Sequence, residues 1–234
     1  MKCIVVIGTY NEAENIPSLL PEIIALGDQY EAIVVDDSSP DGTGELVERL
    51  SSSQPRIHAV HRARRLGYGT AYLEGFRAAL QMGADYVIQM DADYSHNPQD
   101  IPRLVEAAAD SDVAIGSRYA KGGGTQGWPL HRRLISRTAS RVARILLGVP
   151  LSDFTGGFKC FPRSTLESLD FQLVKSHGFA SLYEINYQLY CSGKRFIEVP
   201  ILFIDRRAGQ SKLSFKMILE AWSVMFRLRL TRGR

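Results

Sequence analysis

The first half of the chain alternates short apolar runs with helical patterns. Residues 3–7 and 32–35 are apolar, and each run is followed by turn residues and then by apolar side chains at the 3.6-residue spacing of a helix. Strands that alternate with helices predict an α/β fold with a mostly parallel sheet. Ligands of such open sheets bind beyond the carboxyl ends of the strands, so we expect the polar residues after these runs to line one crevice.

A pair of acidic residues closes a third, mostly apolar run at residues 84–90. Asp91 and Asp93 are two positions apart, and residues at that spacing on a strand point to the same side. Carboxylates held so close repel each other unless a proton or a cation lies between them, and oxygen ligands of this kind suit Mg²⁺ or Mn²⁺. The alternative is a surface turn with two solvated acids, because this spacing is common by chance.

The rest of the chain continues the alternation. Its patterns predict strands at residues 57–60, 86–90, 112–115 and 195–200, and helices at residues 69–82, 100–109, 130–147 and 181–191. A glycine-rich segment, residues 121–128, is either a lid over the crevice or a plain connector. Residues 214–230 form an amphipathic pattern with Trp222 and Met225 on its apolar face, which either packs on the protein or lies on a bilayer.

The length and the absence of a linker bound the domain organisation. We expect a single α/β domain over residues 1–210, followed by an amphipathic helical segment at residues 211–234. No stretch approaches the roughly 18 apolar residues that a spanning helix needs, and the first apolar run is too short for a signal peptide. We therefore expect a cytoplasmic protein. Three scattered cysteines predict neither a disulfide framework nor a zinc site.

The net charge of +3 conceals an uneven distribution. Residues 1–117 carry 8 basic and 18 acidic side chains, whereas residues 118–152 carry 7 basic and no acidic ones. Residues 203–234 carry 8 basic and 2 acidic side chains. Basic clusters attract any polyanion, but the acidic first half would repel nucleic acid. An anionic lipid and its bilayer are the partners that fit better, and we expect no nucleic-acid partner.

Several short motifs follow one another in a fixed order along residues 1–210. They lie at residues 9–12, 36–43, 66–71, 91–98, 116–119 and 155–159. Together they resemble the family 2 glycosyltransferases, and more closely the polyprenol- and dolichol-phosphate mannose synthases. The resemblance implies the GT-A fold, a Rossmann-like and mostly parallel sheet flanked by helices.

The resemblance also implies a reaction and its residues. An enzyme of this kind transfers mannose, with inversion, from GDP-mannose to a polyprenyl monophosphate with the help of Mg²⁺ or Mn²⁺. Asp91 and Asp93 would hold the metal and, with Arg118 and Arg206, form the catalytic set. The residues implied around the nucleotide are Thr9, Tyr10, Glu12, Asp36, Asp37, Asp91, Ala92, Asp93, Arg206 and Lys212. Asp36 is either such a ligand contact or a loop acid near the start of a helix. Two positions after the acidic pair, where archaeal relatives carry glutamine, this chain has Ser95, a poorer metal ligand.

The acceptor side needs positive charge rather than a base. The oxygen of a lipid monophosphate is already anionic near neutral pH, so no carboxylate has to remove a proton from it. We expect Arg118, Arg132 and Arg133 to bind this phosphate through charge-assisted hydrogen bonds. Asp153 either faces the sugar hydroxyls or is a structural acid. The enzyme would act peripherally at the cytoplasmic face of a membrane, and a small membrane-anchoring subunit is an alternative partner for the last helix.

Three other functions compete with this one. Within the enzyme class, the alternative is a polyprenyl-phosphate glucosyltransferase that uses UDP-glucose, or a polysaccharide transferase. A nucleotide-dependent dehydrogenase is disfavoured because the first strand lacks a following Gly-x-Gly-x-x-Gly. A non-catalytic module that binds a sugar nucleotide would not require both carboxylates of the metal motif and a separate basic acceptor site.

Overall fold

The structure of the protein, a computed structural model, describes residues 1–205 and 215–231. In that part of the chain the strands are β1 Cys3–Thr9, β2 Tyr30–Asp36, β3 Ile57–His61, β4 Tyr86–Gln89, β5 Val113–Ser117, β6 Gly124–Gln126, β7 Lys159–Pro162, β8 Phe196–Pro200 and β9 Leu202–Ile204. The helices are α1 Ile16–Ile24, α2 Thr43–Ser53, α3 Tyr68–Gln81, α4 Ile101–Ala109, α5 Leu130–Leu147, α6 Arg163–Glu167, α7 Ser181–Cys191 and α8 Phe215–Thr231.

The main sheet has the strand order β3-β2-β1-β4-β7-β5-β8. Its neighbouring strands run parallel except at β7, which is antiparallel to both β4 and β5. This arrangement confirms the predicted α/β fold with a mostly parallel sheet. Because β1 lies between β2 and β4, the ends of these three strands come together at one edge.

Both faces of the sheet are covered, and β1 shows how the sequence achieves this. Ile4 and Val6 pack in one core with α3 residues such as Phe76, whereas Val5 packs in the opposite core with α4 residues such as Leu104. Each such buried side chain stabilises the fold by about 1.5–3 kcal/mol. A strand that is buried on both faces needs apolar residues at every position, which explains the unbroken apolar run at the start of the chain.

The glycine-rich segment at residues 121–128 contains a strand. Gly124–Gln126 pairs in parallel with Leu202–Ile204 and forms a two-stranded sheet beside the main one. Gly123 is required at the turn before it, because a Cβ there would lie 2.5 Å from the carbonyl oxygen of Ser117. The interpretation of residues 124–126 as a plain connector is therefore wrong, since backbone hydrogen bonds tie them to β9. The role of the segment as a lid stays a prediction.

The predicted C-terminal helix is present, but its faces differ from the prediction. Met225 is 2% exposed, whereas Trp222 is 39% exposed, so the expectation that both share one face is wrong. The buried stripe runs through Ala221, Val224, Met225 and Leu228, which recur at helical spacing, and α8 packs with it against α5 and α7. The predicted boundary at residues 210 and 211 lies outside the described residues and stays a prediction. None of the described helices has the length and apolar character to span a membrane.

Candidate active site

A cleft of about 300 Å³ opens where β1, β2 and β4 end. The loops after these strands line it together with the start of α3 and residues 178–179. Seven of the residues predicted around the nucleotide and metal lie there: Thr9, Tyr10, Glu12, Asp37, Asp91, Ala92 and Asp93. The convergence of the three strand ends is therefore as expected from the repeated pattern of runs and turns.

Each of the three loops contains a non-glycine residue in the left-handed region of the backbone map. The φ angles are +62° at Asn11, +59° at Ser38 and +60° at Tyr94. Such conformations cost of the order of 1–3 kcal/mol each, and they persist where the surrounding structure requires them. Their concentration in the loops around one cleft makes this cleft the candidate functional site.

Asp91 is held by two tyrosine hydroxyls. The hydroxyls of Tyr68 and Tyr72 each lie 3.1 Å from Oδ1 of Asp91, and the hydroxyl of Tyr72 also donates to the Met90 carbonyl oxygen at 2.7 Å. Burial, and after it the nearby negative charge, raises the pKa of Tyr68 well above the ordinary tyrosine value, so its hydroxyl stays protonated. These contacts could not be predicted from the sequence, because the tyrosines lie in a helix that begins 23 residues before Asp91.

Asp93 is buried in the same loop after β4. Its Oδ1 accepts a hydrogen bond from the backbone N–H of Ser95 at 3.1 Å, and the hydroxyl of Ser95 is buried with no hydrogen-bond partner in the part of the chain that the structure describes. Nδ1 of His96 accepts the backbone N–H of Asp91 at 3.2 Å, while the ring stacks on Phe158. Burial lowers the pKa of His96 against the opposing charges of Asp91 and Asp93, which favours the neutral ring that this acceptor role requires.

The donor atoms fit a hard divalent cation that is shared with a substrate. Among residues 1–205 and 215–231, no group of three or more His, Cys, Asp or Glu side chains could by itself hold a metal ion. Asp91 and Asp93 supply carboxylate oxygens to one cleft. Mg²⁺ commonly binds through one or two carboxylates and completes its shell with substrate phosphates and water. The pair therefore fits such an ion when a diphosphate shares the coordination.

Asp36, the last residue of β2, and Asp37, the residue after it, form hydrogen bonds with the loops around them. Both oxygens of Asp37 accept backbone N–H groups, from Leu66 at 2.8 Å and from Gly67 at 2.7 Å, and Arg62 lies 3.1 Å away. Asp36 does not line the cleft; it bonds to Thr9 and lies at a neighbouring cavity of about 470 Å³. Sequence reasoning missed Arg62, a buried arginine that directly follows β3 and anchors Asp37.

Arg118 is buried in an ion pair with Asp153. Its Nε and Nη2 atoms donate to the two carboxylate oxygens at 2.7 and 2.6 Å, and Nη2 also donates to the Thr155 hydroxyl at 2.7 Å. Burial alone would raise the pKa of Asp153, but the charge and hydrogen bonds of Arg118 lower it below the usual range. Of the two interpretations of Asp153, the structure supports the structural acid. Hydrogen bonds between Arg118 and the other described residues do not use its Nη1 atom.

The other two arginines predicted at the acceptor lie at the start of α5. Nη1 of Arg132 pairs with Asp205 at 2.8 Å, and its guanidinium lies 4.1 Å from the ring centre of Trp128. Nη2 of Arg133 donates to the Thr125 carbonyl oxygen at 3.1 Å. These contacts attach α5 to the small sheet of β6 and β9. Arg206 and Lys212, predicted at the diphosphate, lie outside the described residues.

A buried lysine was also missed. Lys159 on β7 is fully buried and donates from Nζ to the side-chain oxygen of Asn186 at 2.8 Å. Burial lowers its pKa to about 7, although the charge of Asp153 opposes that shift. A lysine within a short run that also contains a proline indicates a loop by sequence, which is why neither β7 nor its buried amine was predicted.

Comparisons with known proteins show the family to which this chain belongs. Residues 4–170 match the family model described as Glycosyl transferase family 2. An undecaprenyl-phosphate mannosyltransferase of Micrococcus luteus is 39% identical and covers 94% of this chain and 91% of its own. A polyprenol monophosphomannose synthase of Mycolicibacterium smegmatis is 40% identical, with 99% and 91% covered. A dolichol-phosphate mannosyltransferase of Pyrococcus furiosus is also 40% identical, with 97% of this chain but only 64% of its own length covered.

The solved structures agree on the fold. A glucosyl-3-phosphoglycerate synthase from Mycobacterium tuberculosis, crystallised with Mn²⁺, UDP-glucose and glycerol 3-phosphate, superposes with a TM-score of 0.66 over 99% of this chain and 79% of its own. Its sequence is 20% identical, so the likeness supports the architecture alone. The predicted GT-A fold is confirmed. With a family model that spans most of the chain and relatives about 40% identical over nearly all of it, the chain belongs to the family 2 glycosyltransferases.

Proposed function

We propose that this protein transfers mannose from GDP-mannose to a polyprenyl monophosphate, with inversion at the anomeric carbon. The observation that carries the proposal is the likeness to two bacterial relatives named for mannosyl transfer to polyprenyl phosphates, at 39% and 40% identity over at least 94% of this chain. GDP as the nucleotide and mannose as the sugar are the finer parts of the proposal. The cleft where β1, β2 and β4 end is the proposed reaction site.

The donor nucleotide would lie in this cleft with its diphosphate towards Asp91 and Asp93. A divalent cation, Mg²⁺ or Mn²⁺, held by these two carboxylates would neutralise charge on the departing diphosphate. Thr9, Tyr10 and Glu12 would bind the nucleoside portion, because hydroxyl and carboxylate oxygens accept the N–H and O–H groups of a base and a ribose. Asp37 would act there mainly by holding the backbone at Leu66 and Gly67.

The chain's own residues have little proton chemistry to perform. An anionic oxygen of the lipid phosphate forms the new bond to the anomeric carbon, while the bond to the diphosphate breaks and its electron pair leaves with GDP. No general base is needed, so the protein has to orient the two phosphates and reduce their repulsion. Arg132 and Arg133 are proposed to meet the acceptor phosphate, and Arg118 would reach it through Nη1.

We also propose that the acceptor is reached from a membrane surface formed by α5 and α8. Several large apolar side chains on these two helices face outward: Leu130 and Ile145 are each 73% exposed, Phe226 is 52% exposed and Leu230 is 81% exposed. α5 also carries five arginines, which suit anionic headgroups. Because the donor is a nucleotide sugar, this surface would meet the cytoplasmic leaflet. A membrane-anchoring subunit stays a prediction.

The test is a comparison of donors. Purified protein is offered radiolabelled GDP-mannose, UDP-glucose or UDP-N-acetylglucosamine, each with undecaprenyl phosphate and either Mg²⁺ or Mn²⁺. We expect label in the lipid fraction with GDP-mannose and only when a metal is present. Transfer from UDP-glucose instead would replace the donor assignment. Binding of GDP-mannose without transfer under any of these conditions would favour a sugar-nucleotide binding module.

A further inference from the structure

We propose that Tyr68 is a positioning residue for the metal ligand Asp91. Its hydroxyl engages Oδ1 of the carboxylate and so leaves Oδ2 as the oxygen that meets the metal. This inference rests on the proposed function, because it assumes that Asp91 binds a divalent cation. Tyr68 is the first residue of α3 and does not belong to the loop that carries Asp91 and Asp93.

The direction of the hydrogen bonds follows from a third residue, Gln89. Its side-chain Nε2 lies 3.1 Å from the Tyr68 oxygen, and an amide nitrogen can only donate. Tyr68 has one proton, which is then directed at its other partner, Oδ1 of Asp91 at 3.1 Å. Gln89 therefore orients the tyrosine, and the tyrosine orients the carboxylate.

Tyr72 contributes less to Asp91 than its proximity suggests. Its oxygen lies 2.7 Å from the Met90 carbonyl oxygen and 3.1 Å from Oδ1 of Asp91. A hydroxyl has a single proton, and the stronger of the two hydrogen bonds is the shorter one, to Met90. Oδ2 of Asp91 accepts no hydrogen bond from the other described residues. One oxygen of the carboxylate is thus bound by the protein, and the other is left to bind the metal.

Aromatic packing holds the Tyr68 ring independently of its hydroxyl. The ring stacks on Phe179, with centroids 4.2 Å apart, and meets Tyr72 edge-on at 4.7 Å. A phenylalanine at position 68 keeps these contacts and loses only the oxygen. Tyr68→Phe is therefore a clean deletion of the proposed interaction.

Gly157 leaves the space in which this contact forms. A Cβ at this position would lie 2.6 Å from the Tyr68 oxygen but 3.4 Å from each oxygen of Asp91. The first distance is a severe overlap, and the second is an ordinary contact. An alanine here should therefore displace the Tyr68 hydroxyl, while its methyl group comes no closer to Asp91 than van der Waals contact.

The experiment measures Mn²⁺ binding in the presence of GDP, by the loss of the electron paramagnetic resonance signal of the free ion. Tyr68→Phe should weaken Mn²⁺ binding by about 10-fold, the lower end of the range for residues that orient metal ligands. Gln89→Leu should weaken Mn²⁺ binding less than Tyr68→Phe does. In that variant the Tyr68 hydroxyl can still donate to Asp91, but Gln89 no longer orients it. Tyr183→Phe, a tyrosine stacked on Phe154 in the core, is the matched control and should bind like the parent. Melting temperatures are recorded for every variant.

A double-mutant cycle separates positioning from general damage. Gly157→Ala should weaken Mn²⁺ binding in the parent but add little in the Tyr68→Phe background, because the atom with which the new methyl collides is gone. Additive losses, or a Tyr68→Phe affinity within twofold of the parent, would overturn the positioning role. If the parent itself binds no Mn²⁺ with GDP, the metal assignment in the proposed function fails, and this inference falls with it.

Discussion

At the scale of single residues, Arg118 and Asp153 form a buried ion pair beside the loop that carries Gly156 and Gly157. Asp153 is fully buried, and a Cβ on Gly156 would lie 3.6 Å from its carboxyl carbon. A buried charge without its partner is strongly destabilising, by about 3–5 kcal/mol. The pair therefore shapes the wall of the site, whatever contact Arg118 makes with substrate.

Asp153→Ala should consequently lower the free energy of unfolding by about 3–5 kcal/mol, because it leaves the Arg118 guanidinium buried and unpaired. Urea denaturation at pH 7 measures the change. Glu106→Ala, which removes an exposed carboxylate on α4, is the control and should stay within about 0.5 kcal/mol of the parent. Equal stability of the two variants would contradict the structural role of the pair.

Lys159 predicts a dependence of stability on pH. The pKa of this buried amine is lowered to about 7 in the fold, from 10.5 in the unfolded chain. Between these values the unfolded state binds more protons, so this residue makes the fold more stable as pH rises. Below pH 7 the lysine is charged in both states, and its burial costs the fold about 5 kcal/mol relative to high pH.

Lys159→Met should therefore gain stability over the parent at pH 6 and lose most of that advantage by pH 10. Unfolding free energies of both proteins at pH 6, 8 and 10 give the difference, in which other titrating groups cancel. A difference that stays constant across this range would show that Lys159 keeps its ordinary pKa in the fold.

The residue scale also shows where sequence reasoning stops. Asp91 and Asp93 could be found because they follow an apolar run at a spacing that a strand converts into a shared direction. The roles of Tyr68, Arg62 and Lys159 could not be predicted, although Tyr68 and Lys159 lie in the motifs at residues 66–71 and 155–159. These roles depend on partners brought close by the packing of helices and strands that are distant in sequence. The acceptor arginines were predicted from charge alone, which does not reveal that Asp153 already pairs with Arg118.

At the scale of elements, α8 has two apolar faces with different environments. One face is buried through Val224 and Met225, and the other presents Trp222, stacked on Phe226, to the outside. Periodicity identified an amphipathic helix but could not divide its apolar residues between the protein and a bilayer. That division depends on where α5 and α7 meet it.

Trp222→Glu combined with Phe226→Glu should weaken sedimentation with anionic liposomes and leave the melting temperature nearly unchanged. Each buried apolar side chain contributes about 1.5–3 kcal/mol to membrane binding, and a carboxylate is repelled by the headgroups. Met225→Glu is the matched comparison on the inner face and should lower the melting temperature by several degrees. Liposome binding that survives in the double variant would remove α8 from the membrane surface.

The strands illustrate the same limit. β1, β2 and β4 were predicted because strands buried on both faces are apolar at nearly every position. β6 and β9 are three residues each; β6 begins with a glycine, and β9 begins two residues after Pro200, so periodicity has too few positions to detect them. β7 pairs antiparallel between two strands that the sequence pattern treats as successive parallel ones.

At the scale of the whole molecule, the acidic and basic parts of the chain build different sides of the proposed site. The acidic half of the chain builds the β1, β2 and β4 side of the cleft, where a cation would be shared with a diphosphate. The basic stretch that begins at Arg118 builds α5 and the proposed membrane surface. A substrate with an anionic headgroup and an apolar tail would meet basic and apolar side chains on one side and a metal-bound leaving group on the other.

The most direct test of this account is mannosyl transfer from GDP-mannose to undecaprenyl phosphate by Asp91→Asn and Asp93→Asn, measured at saturating Mn²⁺. Each change removes a charge from the proposed metal site, and we predict that each reduces the rate by at least about 100-fold. Asp110→Asn, an exposed acid at the end of α4, is the control and should transfer at the parent's rate. Rates for both site variants close to that of the control would contradict the assignment of this cleft as the reaction site.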